Sequence, residues 1–181
     1  MKPSAETGGD RAATGNGRAS VSADCGRTQL AEDELVAWGR RIGAEAMVPV
    51  FIGLNGPLGA GKSVLARAVA RGAGVRGALP SPTFNIVFRY SVSGKAVVHA
   101  DLFRIASVQE LAGIGWEDMV ADSRAIVVVE WCGRAGGELP HSRWEVTLGF
   151  VGDDARRAVR VERFGEPSPL PDLHVPREGT K

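Results

Sequence analysis

The chain is short of cysteine. Its 181 residues hold two, Cys25 and Cys132, far apart and outside any metal-ligand spacing. In a chain long enough to bury a sizeable core, two such residues do not make a disulfide framework and read as reduced thiols. An excess of charge of one sign is also missing. With 22 basic and 21 acidic side chains the net charge is +1. That balance gives no electrostatic argument for direct nucleic-acid or membrane binding. No stretch comes near the roughly 20 apolar residues that span a bilayer, so no membrane partner is expected. The opening segment MKPSAETGGDRAATGNGRAS lacks an apolar centre and so is not a secretory signal; the expected compartment is the cytoplasm. There is no internal repeat. What remains is an ordinary soluble composition, 44% apolar and 24% charged, at a length that suits one domain.

Residues 1–24 are rich in Gly, Ala, Ser and Thr and nearly devoid of large apolar side chains. Such a segment buries too little surface to offset its ordering entropy, and a disordered N-terminal tail is expected. Residues 165–181, GEPSPLPDLHVPREGTK, carry four prolines and read as an irregular C-terminal tail. The intervening 25–164 alternate between helical and strand patterns. In EDELVAWGRRIGA, Leu35, Trp38 and Ile42 fall on one helical face. VPVFIGLN is a nearly continuous apolar run, which suits a central strand buried on both faces. KSVLARAVARGAG reads as a helix with Gly72 and Gly74 as its stop. TFNIVFRYSV and KAVVHADLF read as two close strands about SGK, and RAIVVVEW as a second fully apolar strand. SVQELAGIGWEDMVADS suggests one or two short helices, with Ser107 and Glu110 as a capping box. SRWEVTLGFV and ARRAVRVERFG read as an antiparallel pair about GDD.

The segment between the first apolar strand and its helix is GPLGAGKS, Gly56–Ser63, which fits the phosphate-binding P-loop pattern without a mismatch. Successive backbone N–H groups must wrap closely around phosphate oxygens, and glycine clears the Cβ atoms that would intervene. The following helix aims its N-terminus at the same charge. The candidate nucleotide-binding residues are therefore Gly56, Leu58, Gly59, Ala60, Gly61, Lys62, Ser63 and Val64. Lys62 is placed to reach the β- and γ-phosphates, and its side chain is expected to face solvent in the free protein. Ser63 is placed to offer a hydroxyl to Mg²⁺. The expected fold is α/β: a P-loop NTPase-like three-layer domain with a mixed, partly parallel sheet.

A P-loop site also needs acids for the metal and the attacking water. AVVHAD ends at Asp101 and AIVVVE at Glu130, two apolar strands each closed by a carboxylate at the edge where α/β sheets bind ligands. Ser63, Asp101 and Glu130 are the candidate metal ligands; Lys62, Asp101 and Glu130 are the candidate catalytic residues. How the two acids divide the work stays open. SPTF places Thr83 where its hydroxyl or backbone could sense a γ-phosphate, after Pro80 and Pro82, which stiffen its approach. His99, two residues before Asp101, shares its strand face and reads equally well as a satisfied strand-edge histidine. Arg104 and Arg134 read as surface arginines or as phosphate or carboxylate partners. Strand alternation sends Trp131 to the face opposite Glu130, where it could pack a core, cover a base or meet a partner, core packing being the default.

Taken together, GPLGAGKS, SPTF, HADLFR and VVVEWCGRA, in this order, resemble the bacterial tRNA threonylcarbamoyladenosine biosynthesis ATPase family TsaE (YjeE) over residues 27–150. The resemblance implies a small P-loop ATPase using ATP/ADP and Mg²⁺, working with the TsaD and TsaB proteins. It implies that Lys62 and Ser63 hold the phosphates and Mg²⁺, that Thr83 belongs to a switch-like loop, and that Asp101 serves the metal and catalytic region. By the same resemblance Glu130 is the Walker B-type acid, and Trp131 matches the family's tryptophan after it. The chain departs from the family pattern at Ala100, usually aromatic, at Phe103, usually Tyr, and at Cys132-Gly133, more often Pro-Glu. The last change keeps Arg134 and removes an acid.

Three other functions share the phosphate cradle. A small-molecule or nucleotide kinase would carry an arginine-rich lid, and the arginines of ARRAVR sit in a strand pattern instead. A GTPase would carry Asn-Lys-x-Asp and Asp-x-x-Gly segments, and neither occurs. A nucleotide-gated binding module would bind without meaningful turnover.

Overall fold

A computed structural model describes residues 22–80, 85–152 and 155–173. Residues 1–21 of the expected N-terminal tail, the SPTF segment with Thr83, the Asp pair of GDD and residues 174–181 lie outside the described residues.

The strands, named in chain order, are β1 (Ser22–Leu30), β2 (Val50–Asn55), β3 (Val87–Val92), β4 (Lys95–Asp101), β5 (Ala125–Glu130), β6 (Arg143–Phe150) and β7 (Arg157–Phe164). They form one sheet in the order β1-β7-β6-β2-β5-β4-β3. The central β6, β2, β5 and β4 run parallel, while β7, β1 and β3 add antiparallel margins. The fold is thus α/β and P-loop NTPase-like, with a mixed, partly parallel sheet.

The apolar runs are continuous because their strands are covered twice. Ile52, Leu54, Ile126 and Val128 pack beneath α1 (Glu32–Glu45) and α2 (Lys62–Gly72). Phe51, Val127 and Val129 pack on the other face with α3 (Glu110–Gly113), α4 (Trp116–Ala121) and a 3₁₀ segment, Cys132–Glu138. The period-2 alternation within β2 and β5 therefore assigns one set of side chains to each layer.

α1 and α2 approach so closely that glycine is needed between them. A Cβ on Gly43 would lie 1.9 Å from the Val69 carbonyl oxygen, and one on Gly72 would lie 1.9 Å from that of Arg40. Neither contact can be relieved by turning a side chain. Gly43→Ala is expected to push the helices apart and lower stability by about 1–3 kcal/mol, the usual cost of overpacking. A denaturant titration showing a parental midpoint would contradict this.

α2 ends as its sequence suggests. The Gly74 N–H donates to Arg71 O (3.1 Å) and the Val75 N–H to Ala70 O (3.0 Å), with Gly74 at φ +101°. This paired closure is a Schellman motif, and Gly74 supplies its left-handed residue. The capping box differs from expectation. The Ser107 hydroxyl donates to Glu110 Oε1 (3.0 Å), but α3 begins at Glu110 itself with Gln109 as its N-cap. The pair ties the turn before the helix rather than capping it.

β1 is an element that the sequence reading did not mark. Its stretch SADCGRTQL has one large apolar residue, the buried Leu30, and it pairs only with β7. A margin strand draws on backbone pairing rather than on a hydrophobic pattern, so β structure begins at Ser22, inside the expected tail. Residues 165–173 have no regular structure but are fastened down. Trp38 Nε1 donates to Pro171 O (3.0 Å) and Trp144 Nε1 to Ser168 O (2.8 Å), while Leu170 and Leu173 pack on the core.

Candidate active site

The ends of β2, β4 and β5 stand side by side. Leu54 pairs with Glu130, and Glu130 with Asp101, so both acids lie beside the start of the P-loop. Backbone bonds lock this edge: the Leu102 N–H donates to Glu130 O (3.0 Å) and the Trp131 N–H to Leu54 O (2.8 Å). The loop Gly56–Ser63 leaves β2 and becomes α2. Gly56 (φ +132°) passes so near β6 that a Cβ there would lie 2.1 Å from Leu148 O. Gly61, the N-cap of α2, is also left-handed at φ +103°. Both positions exclude ordinary side chains for backbone reasons.

The loop opens onto a cleft of about 250 Å³. Leu58, Gly59, Gly61, Lys62, Ser63 and Val64 form one wall, and Asp101, Phe103, Glu130 and Trp131 the other. Gly56 and the fully buried Ala60 form the loop's inner side and do not line it. The structure thus brings the candidate residues together, except Thr83, which lies outside the described residues.

Lys62 does not face solvent. It is 4% exposed, and its ammonium donates to Gly56 O and Pro57 O, each at 2.8 Å. Its Nζ also lies 4.0 Å from the centre of the Trp131 ring, a cation–π contact. The ammonium, a donor only, is thus satisfied by carbonyls of its own loop. Burial lowers its pKa, and the nearby Glu130 and Asp101 charges oppose that shift.

Glu130 is held at both oxygens. Ser63 Oγ donates to Oε2 at 2.8 Å, and His99 Nε2 lies 2.8 Å from Oε1. An ionised carboxylate only accepts, so the imidazole donates from Nε2. His99 and Glu130 are each 2% exposed. His99 thereby orients Glu130 rather than lining the cleft. Asp101 Oδ1 accepts the Phe103 N–H (2.9 Å). Burial raises the Asp101 pKa, that hydrogen bond opposes the rise, and the Glu130 charge adds to it.

Trp131 packs against the core on the face opposite Glu130, as alternation suggests, and its left-handed backbone (φ +58°) also brings the ring over Lys62. Phe103, 44% exposed, packs against it with ring centres 5.2 Å apart. The exposed Arg134 donates to Ile105 O (2.9 Å) and lies 5.9 Å from the Phe103 ring, a structural role. Arg104 is exposed beside Phe103 and does not line the cleft. The ARRAVR arginines are not lid residues: Arg156 pairs with Glu34 (2.9 Å), and Arg157 lies 5.2 Å from the Phe150 ring.

Ser63 Oγ and the carboxylates of Asp101 and Glu130 are hard oxygen donors, the chemistry that Mg²⁺ selects. No group of three or more His, Cys, Asp or Glu side chains among the described residues could cage a metal ion. A hydroxyl and two carboxylates at a phosphate loop nevertheless fit Mg²⁺, which keeps several waters and shares phosphate oxygens. No helix among the described residues is long and apolar enough to cross a membrane.

A family profile described as "Threonylcarbamoyl adenosine biosynthesis protein TsaE" matches residues 30–159. Two similar proteins carry the name tRNA threonylcarbamoyladenosine biosynthesis protein TsaE. The one from Haemophilus influenzae is 37% identical over 107 residues, 59% of this chain and 66% of that protein. The one from Streptomyces coelicolor is 35% identical over 144 residues, 76% of this chain and 95% of that protein. Among solved structures, Bacillus subtilis YdiB superposes with a TM-score of 0.62 at 22% identity, covering 81% of this chain and 88% of that one. That likeness is one of fold.

Proposed function

The chain belongs to the TsaE family of threonylcarbamoyl adenosine biosynthesis proteins, and from that membership and the cleft we propose that it is a Mg²⁺-dependent ATP hydrolase serving tRNA threonylcarbamoyladenosine formation. The observation that carries this reading is the 2.8 Å contact between Ser63 Oγ and Glu130 Oε2 at the mouth of the P-loop. It places a hydroxyl and an acid where a phosphate loop needs them.

In this reading the N–H groups of Gly59 through Val64 receive the phosphate oxygens, and Lys62 exchanges two carbonyl acceptors for the β- and γ-phosphates. Ser63, Asp101 and Glu130 would hold Mg²⁺, which when bound supplies positive charge against the phosphates. One of the two acids orients the attacking water, and His99 keeps Glu130 in place. Thr83 would serve a switch-like loop that reports the γ-phosphate. The TsaD and TsaB proteins, implied by the family resemblance, would read that state, so the phosphate acts as a signal to partners.

Calorimetric titration with ATP, ADP and GTP in the presence of Mg²⁺ tests the nucleotide. The adenine nucleotides are expected to bind more tightly, because no guanine-reading segment is present. Equal or tighter GTP binding would sink the ATPase reading. Hydrolysis is then measured for the chain alone and with purified TsaB and TsaD from the same source. Turnover that those partners leave unchanged would reduce the protein to a nucleotide-binding module.

A further inference from the structure

Three contacts clamp the turn after Glu130 onto β2, and Asn55 makes the outermost of them. Trp131 donates its N–H to Leu54 O at 2.8 Å. Cys132 fills the space left by Gly53, where a Cβ would lie 2.4 Å from its Sγ. Asn55 Oδ1 then accepts the Gly133 N–H (3.3 Å) and the Cys132 thiol (3.4 Å). The amide's other end is also engaged, since Nδ2 donates to Glu145 Oε2 (3.1 Å). Glu145 is fixed in turn by Arg143 Nε at 2.8 Å, and Arg143 lies 3.9 Å from the Phe164 ring. Arg143 is 9% exposed and the Asn55–Glu145 and Asn55–Cys132 bonds are half-buried, while the Gly133 N–H that Asn55 accepts lies at the surface; a donor–acceptor mismatch in the half-buried part leaves a polar group without its partner.

Asn55 immediately precedes the P-loop, and the turn it grips carries Trp131, the ring that covers Lys62. The turn reads Cys-Gly at 132–133, so a conformationally free glycine stands at the position Asn55 holds. We infer that Asn55 is a positioning residue, which through Gly133 and Cys132 sets the Glu130–Trp131 turn over the phosphate loop. It touches neither nucleotide nor metal; it acts on the residues that do. The consequence for affinity rests on the nucleotide reading of the cleft, while the consequence for the turn does not.

The test uses Asn55→Ala, Asn55→Asp and the double variant Asn55→Asp/Glu145→Gln. The double variant reverses donor and acceptor: the amide of residue 145 donates to the carboxylate at 55, which still accepts the Gly133 N–H. Trp38, Trp116 and Trp144 are buried, so quenching of tryptophan fluorescence by acrylamide reports mainly on the half-buried Trp131, with Trp131→Phe as the control. Both single variants are expected to quench more steeply than the parent in the nucleotide-free state. The double variant is expected to return toward the parent curve. Where the parent binds ATP, Asn55→Ala should bind it about fivefold more weakly, roughly what one typical hydrogen bond is worth. Parental quenching in both single variants overturns the inference. So does steeper quenching that the double variant leaves unrepaired, because any disruption of the strand end would produce it. A parent that fails to bind ATP sinks the nucleotide reading alone, since the quenching comparison still decides the role of Asn55.

Discussion

Lys62→Ala is expected to abolish measurable ATP turnover and to weaken ATP binding while leaving the protein folded. Among the described residues the ammonium is the one cation in the cleft wall, and its hydrogen bonds go to Gly56 O and Pro57 O. Binding phosphate would exchange those neutral acceptors for anionic ones, adding a charge–charge attraction to bonds that the ammonium already strengthens. Part of that gain goes to drawing Lys62 away from its carbonyls, so binding should weaken only moderately in the variant. The larger loss falls on turnover, because removing a charge aimed at the transferring group costs on the order of 10²–10³ in rate. The fold should survive, since the side chain packs against its own loop and Trp131 rather than the main core. Circular dichroism checks the fold, calorimetry the binding and phosphate release the turnover. Parental turnover in this variant would make the P-loop assignment wrong.

The parts of the site legible in the sequence were those set by backbone chemistry and strand period. GPLGAGKS announces itself because a phosphate loop has few solutions in glycine, lysine and hydroxyl. Asp101 and Glu130 could be placed at one edge because each closes an apolar strand, and parallel neighbours end together. The side-chain choices made within that frame were not legible. Lys62 folds back onto two carbonyls of its own loop, a fact of tertiary distance rather than pattern. Trp131 packs on the far core as alternation suggests, but that its left-handed backbone also carries the ring over Lys62 is announced by no pattern. His99 could be put on the Asp101 face by counting, yet its partner is Glu130 on the next strand. The cross-strand pairing His99–Val128 places the ring two residues short of that acid, near enough to reach it. β1 escaped because margin strands need little hydrophobic pattern. Asn55 escaped because a polar residue at a strand end is unremarkable until Gly133 and Glu145 are seen against it.

Asp101→Asn and Glu130→Gln are expected to remain folded, to retain ATP binding and to lose partner-stimulated turnover, and the environments of the two acids now separate them. Glu130 is tied to Ser63 and His99, so Glu130→Gln keeps the shape but places an amide where the carboxylate accepts two hydrogen bonds. One amide oxygen can still accept from one partner; the amide nitrogen must then face a second donor, which disturbs either the hydroxyl or the imidazole. Asp101 accepts the Phe103 N–H through one oxygen, and Asp101→Asn can keep that bond with its own amide oxygen. It therefore removes charge with little rearrangement, and its effect reads the charge itself. For either variant the loss of a transition-state interaction is on the order of 10²–10³ in rate, about 3–4 kcal/mol. Nucleotide affinity should change far less, because Lys62 and the loop N–H groups remain. A surface acid would behave otherwise, with near-parental rates on substitution, but both side chains are buried and both face the phosphate loop's cleft. Binding and turnover measured together decide the matter: parental turnover in one variant makes that carboxylate structural, and parental turnover in both removes the catalytic site proposed for this cleft.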